Sequence, residues 1–145
     1  AVAFCPTSNL FLGSGLFNLP MAEKHKLNVG LGTDVGAGTS FSLLNTLNEA
    51  YKVMQLQGAR LDPFKSLYLA TLGGARALRL EDRIGNLQAG SDADFVVLDY
   101  NATPLMSYRL KQSKNIAETL FVLMTLGDDR TVQQTYAAGN LVHQR

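Results

Sequence analysis

The residue best placed to do chemistry is Asp34, at the end of the segment Asn28-Val29-Gly30-Leu31-Gly32-Thr33-Asp34. The residues before it read as a buried strand, too short for a helix and carrying two glycines. In a parallel α/β layout, strand C-termini and the loops after them form the active face. A carboxylate there can bind a metal, or accept and return a proton. Gly30 and Gly32 would let something approach the backbone closely. The plain alternative is an aspartate that caps a loop through its own backbone, and position alone leaves both readings open.

Other residues with chemical potential are weaker. The loop Gly36-Ala37-Gly38-Thr39-Ser40 precedes a helix and could cradle an anion. It lacks the lysine of a phosphate-binding loop, and its glycines miss the dinucleotide spacing, so an N-capped βα loop is the better reading. Cys5 ends an apolar strand, but a nucleophilic thiol needs a nearby histidine and none is evident, so it reads as a small buried hydrophobe. Ser8, Asn9 and Ser14 follow that strand and could line a pocket, although ordinary loop hydrogen bonding explains them equally well. The two histidines, His25 and His143, lie far apart, and a self-contained metal site wants three or four ligands. Asp128-Asp129-Arg130 follows a helix end and reads as a salt-bridged turn or an interface element.

Several elements would have to position Asp34. Ala1 to Cys5 is a short apolar strand stopped by Pro6, and Pro6-Thr7-Ser8-Asn9 reads as a polar loop. Leu16 to Lys26 has helical character, with Pro20 near its start or at a kink. Ser40 is a plausible N-cap for a helix whose apolar stripe is Leu43, Leu47, Ala50 and Met54, closed by Gly58. Asp62-Pro63 opens another helix running to about Leu72, Gly73-Gly74 break it, and Ala75 to Leu80 makes a further turn. Met54, Phe64 and Phe121 fall at helical core positions. Asp94 to Asp99 is a strand, Asn101 to Lys114 is irregular, and Asn115-Ile116-Ala117-Glu118 starts a helix that ends at Gly127. Thr131 to Ala137 and Asn140 to His143 read as a hairpin turning at Ala138-Gly139. The order is thus parallel α/β in the first part, residues 1–80, and a small antiparallel sheet with one inserted helix in the second, residues 81–145.

Composition narrows the function classes. With 46% hydrophobic and 17% charged residues in 145, the chain can build a core and is not expected to be disordered. A net charge of +1 without any basic run gives no reason to expect nucleic acid or anionic lipid as a partner. No apolar run reaches membrane-spanning length. The single cysteine builds no disulfide framework and agrees with a reducing, cytoplasmic compartment. The apolar opening without an initiator Met leads us to expect a chain that begins inside a larger protein, a processed start being the alternative.

Taken together, several segments resemble the amidohydrolases that deaminate cytosine and guanine. Phe4-Cys5-Pro6-Thr7-Ser8-Asn9-Leu10 with Gly13-Ser14-Gly15 resembles their seventh-strand region, and Gly30-Leu31-Gly32-Thr33-Asp34 their eighth strand. Ala70-Thr71-Leu72-Gly73-Gly74-Ala75-Arg76-Ala77-Leu78 is similar to the helix after the barrel. Ile84-Gly85-Asn86-Leu87 through Gly90, then Ala93-Asp94-Phe95, resembles the return to a composite β domain. Leu126-Gly127-Asp128-Asp129-Arg130 and Asp34-Val35-Gly36-Ala37-Gly38 are similar to guanine-deaminating members in particular.

The resemblance implies an α/β fold: the last two βα units of a TIM-type (β/α)8 barrel, followed by part of a small β-sandwich-like domain. It implies one divalent metal, usually zinc, with Asp34 as both metal ligand and proton acceptor. The expected activity is hydrolytic deamination of guanine to xanthine and ammonia, a step of purine catabolism, in a cytoplasmic homodimer. The family's His-x-His, its further histidines and its catalytic Glu are absent from these residues. The chain alone is therefore expected to be inactive and to depend on the remainder of the same polypeptide. The alternatives are an amidohydrolase acting on another heterocycle, as a deaminase or chlorohydrolase, and a non-catalytic module that pairs through open strand edges.

Overall fold

Val2–Phe4 forms β1 and Val29–Leu31 forms β2, paired in parallel with Val2 opposite Val29 and Phe4 opposite Leu31. The computed structural model from which this is read describes residues 1–145. A parallel pair needs a crossover connection, and α1 (Pro6–Leu12) and α2 (Leu19–Lys24) supply it. The polar run at residues 6–9, expected to be loop, is helical instead. Pro6 occupies the first turn, where its missing N–H costs nothing, the Asn9 N–H donates to the Cys5 carbonyl at 3.0 Å, and Gly13 closes the helix at φ 65°. The second helix is shorter than Leu16 to Lys26, because the Asn18 side chain accepts from the Met21 N–H at 2.9 Å and sets the start there.

After β2 come α3 (Leu43–Leu56), α4 (Pro63–Ala70) and α5 (Leu72–Leu78). Ser42, not Ser40, caps α3, and Leu44 rather than Leu43 joins Leu47, Ala50, Val53 and Met54 in the core. Asp62 caps α4 as expected, accepting from the Phe64 and Lys65 N–H groups. Gly73 and Gly74 do not break a helix; the break is at Thr71, and both glycines lie inside α5. Their use is approach. A Cβ on Gly30 would sit 2.8 Å from the Gly74 Cα, and one on Gly73 would sit 3.0 Å from the Val29 carbonyl oxygen. The close partner anticipated for Gly30 is thus the backbone of α5.

One apolar core ties the first part together: Phe4, Leu19, Val29, Leu47, Val53, Met54, Leu61 and Leu69 are all buried in it. Phe17 stacks on Phe4 with ring centroids 4.8 Å apart, which holds the residues before α2 against β1. Phe64 does not join this core; it is half exposed, on the outer side of the first turn of α4.

The second part contains β3 (Phe95–Leu98), α6 (Pro104–Leu110), α7 (Ile116–Leu126), a single 3₁₀ turn at Asp129–Thr131, β4 (Val132–Ala137) and β5 (Asn140–Gln144). The segment expected to be irregular holds α6, started by Thr103, whose hydroxyl accepts from the Met106 N–H at 3.2 Å, with Pro104 following. Asn115 caps α7 as expected, and Met124 from that helix enters the core beside Leu47. The sheet is antiparallel in the order β3-β4-β5. Its hairpin turns at Ala138 (φ 48°) and Gly139 (φ 78°), the two positive angles a tight hairpin requires. No helix is long and apolar enough to cross a membrane.

Candidate active site

Parallel pairing brings the carboxyl ends of β1 and β2 side by side. The Gly32 N–H donates to the Phe4 carbonyl at 3.0 Å, which sets Cys5 beside Gly32 and two residues of chain away from Asp34. A Cβ on Gly32 would lie 3.0 Å from the Cys5 Sγ, so this second glycine makes room for the thiol. Burial, and then the negative charge of Asp34, push the Cys5 thiol up from its ordinary value. A nucleophilic cysteine needs the opposite shift, and Cys5 acts here as a small packing group.

Asp34 itself has φ 49°, in the left-handed region that non-glycine residues rarely occupy. Aspartate is among the residues that tolerate it, and backbone held there collects at functional sites. The residue is exposed. Its carbonyl, not its carboxylate, closes the loop, accepting the Gly38 N–H at 2.7 Å. The carboxylate takes no part in the cap bonds and ion pairs that occupy Asp62, Asp92, Asp94, Asp99 and Asp128.

The loop after Asp34 is pinned at its far end. Ser40 Oγ accepts both the Ser42 N–H at 3.0 Å and the Asn45 side-chain amide at 3.2 Å. Ser42 Oγ in turn accepts the Asn45 N–H at 3.4 Å. The N-terminus of α3 is therefore capped by Ser42, with Ser40 bracing that cap, which answers the anion-cradle reading in favour of a capped βα loop. Between this loop and α1 lies an open cleft of about 400 Å³, with Thr7, Phe11, Thr39, Ser40, Asn45 and Glu49 on its walls.

The remaining candidates stay apart from Asp34 or have other work. His25 ends α2 and His143 lies in β5. Asn9 donates to Ser14 Oγ at 3.3 Å, and Ser8 is buried, so these residues shape the turn around Gly13. Asp128 pairs with Arg130 at 2.5 Å as the salt-bridged turn, and that guanidinium holds the Asp128 carboxyl below the usual carboxylate range. No three His, Cys, Asp or Glu side chains come together. An exposed carboxylate without a protein partner, at the end of a strand, fits one position around a divalent ion that accepts oxygen ligands, zinc included; the donor set of these residues stops at that one position. The residues alone do not single out Gly38, where a Cβ would overlap the Thr33 carbonyl oxygen; its one signal is a second glycine two residues beyond Gly36 in a loop read as a capped βα connection.

The model of the Amidohydrolase family matches residues 1–142. Guanine deaminase of Escherichia coli K12 is 59% identical over 145 residues, which is all of this chain and 33% of that protein. The solved structure of E. coli guanine deaminase superposes with a TM-score of 0.98 over 100% of this chain and 34% of its own. A zinc-bound adenosine deaminase from Xanthomonas campestris is 28% identical, with a TM-score of 0.82 over 97% of this chain and 31% of its own. The chain thus spans about a third of the length of the relatives it matches.

Proposed function

We propose that this chain, which belongs to the amidohydrolase family, is the C-terminal third of a polypeptide that hydrolyses guanine to xanthine and ammonia. The 59% identity to E. coli guanine deaminase along all 145 residues supports guanine as substrate. The observation that carries the role of Asp34 is its uncommitted carboxylate at the end of β2, on a left-handed backbone. In this reading residues 1–80 contribute the last two βα units of a (β/α)8 barrel, and residues 81–145 contribute part of a composite β domain. The two-stranded sheet β1-β2, which has open edges on both sides, supports a need for further strands. So does the apolar cleft of about 640 Å³ between the helices and the second sheet, where Phe41, Leu67, Phe95, Val96 and Tyr136 lie. The remainder of the polypeptide would cover both.

Asp34 would hold one coordination position of a divalent metal, zinc in the family's usual form. Such a metal, when bound, supplies Lewis acidity and makes water a competent nucleophile near neutral pH. The task of Asp34 in catalysis is then proton traffic. Its Oδ atoms accept the proton given up as water adds to the amino-bearing ring carbon, and return it as ammonia leaves. The backbone around it keeps the carboxylate clear of the cap bonds that would compete for those oxygens. A cytoplasmic homodimer is the setting this reading takes from the family.

The test is a deamination assay on the intact polypeptide and on the isolated 145 residues, each titrated with zinc. Xanthine formed from guanine by the intact polypeptide alone is the expected result. Turnover by the isolated residues would overturn the dependence on the remainder, and a preference for another heterocycle would overturn the assignment of guanine.

A further inference from the structure

We propose that Gly38 is a positioning residue for Asp34, and that it acts through the Cβ it lacks. This rests on the reading of Asp34 as metal ligand and proton acceptor. Two glycines of the loop serve different ends. Gly36 has φ 132°, an angle closed to other residues, and nothing lies within 4 Å of where its Cβ would be. Gly38 is buried and has no such angle, but the site of its Cβ is already filled. A Cβ there would overlap the Thr33 carbonyl oxygen and lie 2.9 Å from both the Asp34 carbonyl oxygen and the Thr33 carbonyl carbon. The atoms it would strike belong to the peptide groups on either side of the Asp34 Cα.

Those peptide groups set where the Asp34 carboxylate is. The Gly38 N–H donates to the Asp34 carbonyl at 2.7 Å, and Val35 and Gly38 form a local bridge, so the chain folds back flat on the Thr33–Asp34 peptide. Asp34 keeps φ 49° within that fold-back. Downstream, Ser40 Oγ holds Ser42 and Asn45 at 3.0 and 3.2 Å, tying the loop to the first turn of α3. With the loop tied at Ser40 and folded on the Thr33–Asp34 peptide, a side chain at 38 turns that peptide and swings the carboxylate. The fold-back thus acts as a stop that holds a strained aspartate in one orientation.

The experiment uses the intact polypeptide with Gly38→Ala, Ser40→Ala, Ser40→Thr and Asp34→Asn, reading kcat, KM and zinc affinity by chelator competition. For Gly38→Ala we expect kcat to fall about 100-fold with KM little changed, and zinc affinity to fall about tenfold or more. Should that variant not fold, Ser40→Ala carries the test: a smaller loss of kcat and zinc affinity, restored by Ser40→Thr, which keeps the hydroxyl. Gly38→Ala with unaltered kcat and zinc affinity overturns the positioning role, as does a loss for Ser40→Ala that Ser40→Thr does not restore. If Asp34→Asn keeps both turnover and zinc, the assignment of Asp34 fails and the role of Gly38 falls with it. Loss in Asp34→Asn beside unaltered Gly38→Ala removes the positioning role alone.

Discussion

Substituting Gly30 by alanine should weaken the fold and the activity together, whereas the same change at its partner Gly74 should do neither. The two residues bring β2 and α5 into backbone contact. A Cβ on Gly30 would lie 2.8 Å from the Gly74 Cα, 3.4 Å from its nitrogen and 3.7 Å from the Ala77 Cβ. Carbon atoms rest comfortably at about 3.5–4.0 Å, so the first contact is short by roughly 0.7 Å. The obstacle is main chain, which cannot rotate aside, and α5 is also held by Gly73 against Tyr68 and Val29. Overpacking of this kind costs about 1–3 kcal/mol. The displacement falls on the strand that leads into Asp34, and misplacing a reacting group by about 1 Å can lower turnover about 100-fold. At Gly74 a Cβ meets only the Leu69 carbonyl oxygen, at 3.9 Å, an ordinary contact. Alanine also favours a helix over glycine by up to about 1 kcal/mol. Urea unfolding and kcat of the two variants of the intact polypeptide are the assays. A Gly30→Ala variant as stable as its parent, or a Gly74→Ala variant equally damaged, would refute the steric reasoning.

Two further predictions concern stability away from the site. Arg130 hydrogen-bonds Asp128 and lowers its pKa in the folded state, so the stability this pair adds is present above the unfolded carboxylate value and disappears as pH falls through the folded one. Asp128→Asn should cost about 1 kcal/mol or less at pH 7, since Arg130 is largely exposed, and should flatten the acid limb of a stability–pH curve below about pH 4; an unaltered limb would contradict it. Asn115→Ala removes the acceptor of the Glu118 N–H at 3.0 Å and should cost about 1 kcal/mol, seen as a lower unfolding midpoint with unchanged kcat.

Much of this arrangement could be read from the residues, and the parts that could not share a cause. The stripe Leu47, Ala50 and Met54, the cap at Asp62, the cap at Asn115 and the Ala138-Gly139 hairpin are local devices, visible in a few neighbouring residues. The helices α1 and α6 are hard to see in the residues because each starts with a proline, which serves a loop as well as a first helical turn; α6 adds the Thr103 cap, whereas α1 has no side-chain cap and is closed only by the left-handed Gly13. Gly73 and Gly74 look like a break in sequence because their use, contact with β2, joins residues more than forty positions apart. Phe64 looks like core in sequence but is half exposed, because helical spacing does not say which side of a short helix faces inward. Asp34 stood out by its place at the end of a glycine-bearing strand, but its positive φ and the steric demand at Gly38 arise only once the loop has closed.

The measurement that bears most directly on the whole account is guanine turnover, with zinc content, of Asp34→Asn in the intact polypeptide. Asparagine accepts the same left-handed backbone, so the fold and its unfolding midpoint should be preserved while the proposed proton acceptor is removed. A folded variant whose kcat is lower by about 100-fold or more and which holds zinc less tightly is the predicted result. A folded Asp34→Asn that deaminates guanine at close to the parental rate would contradict the assignment of this carboxylate to the chemistry.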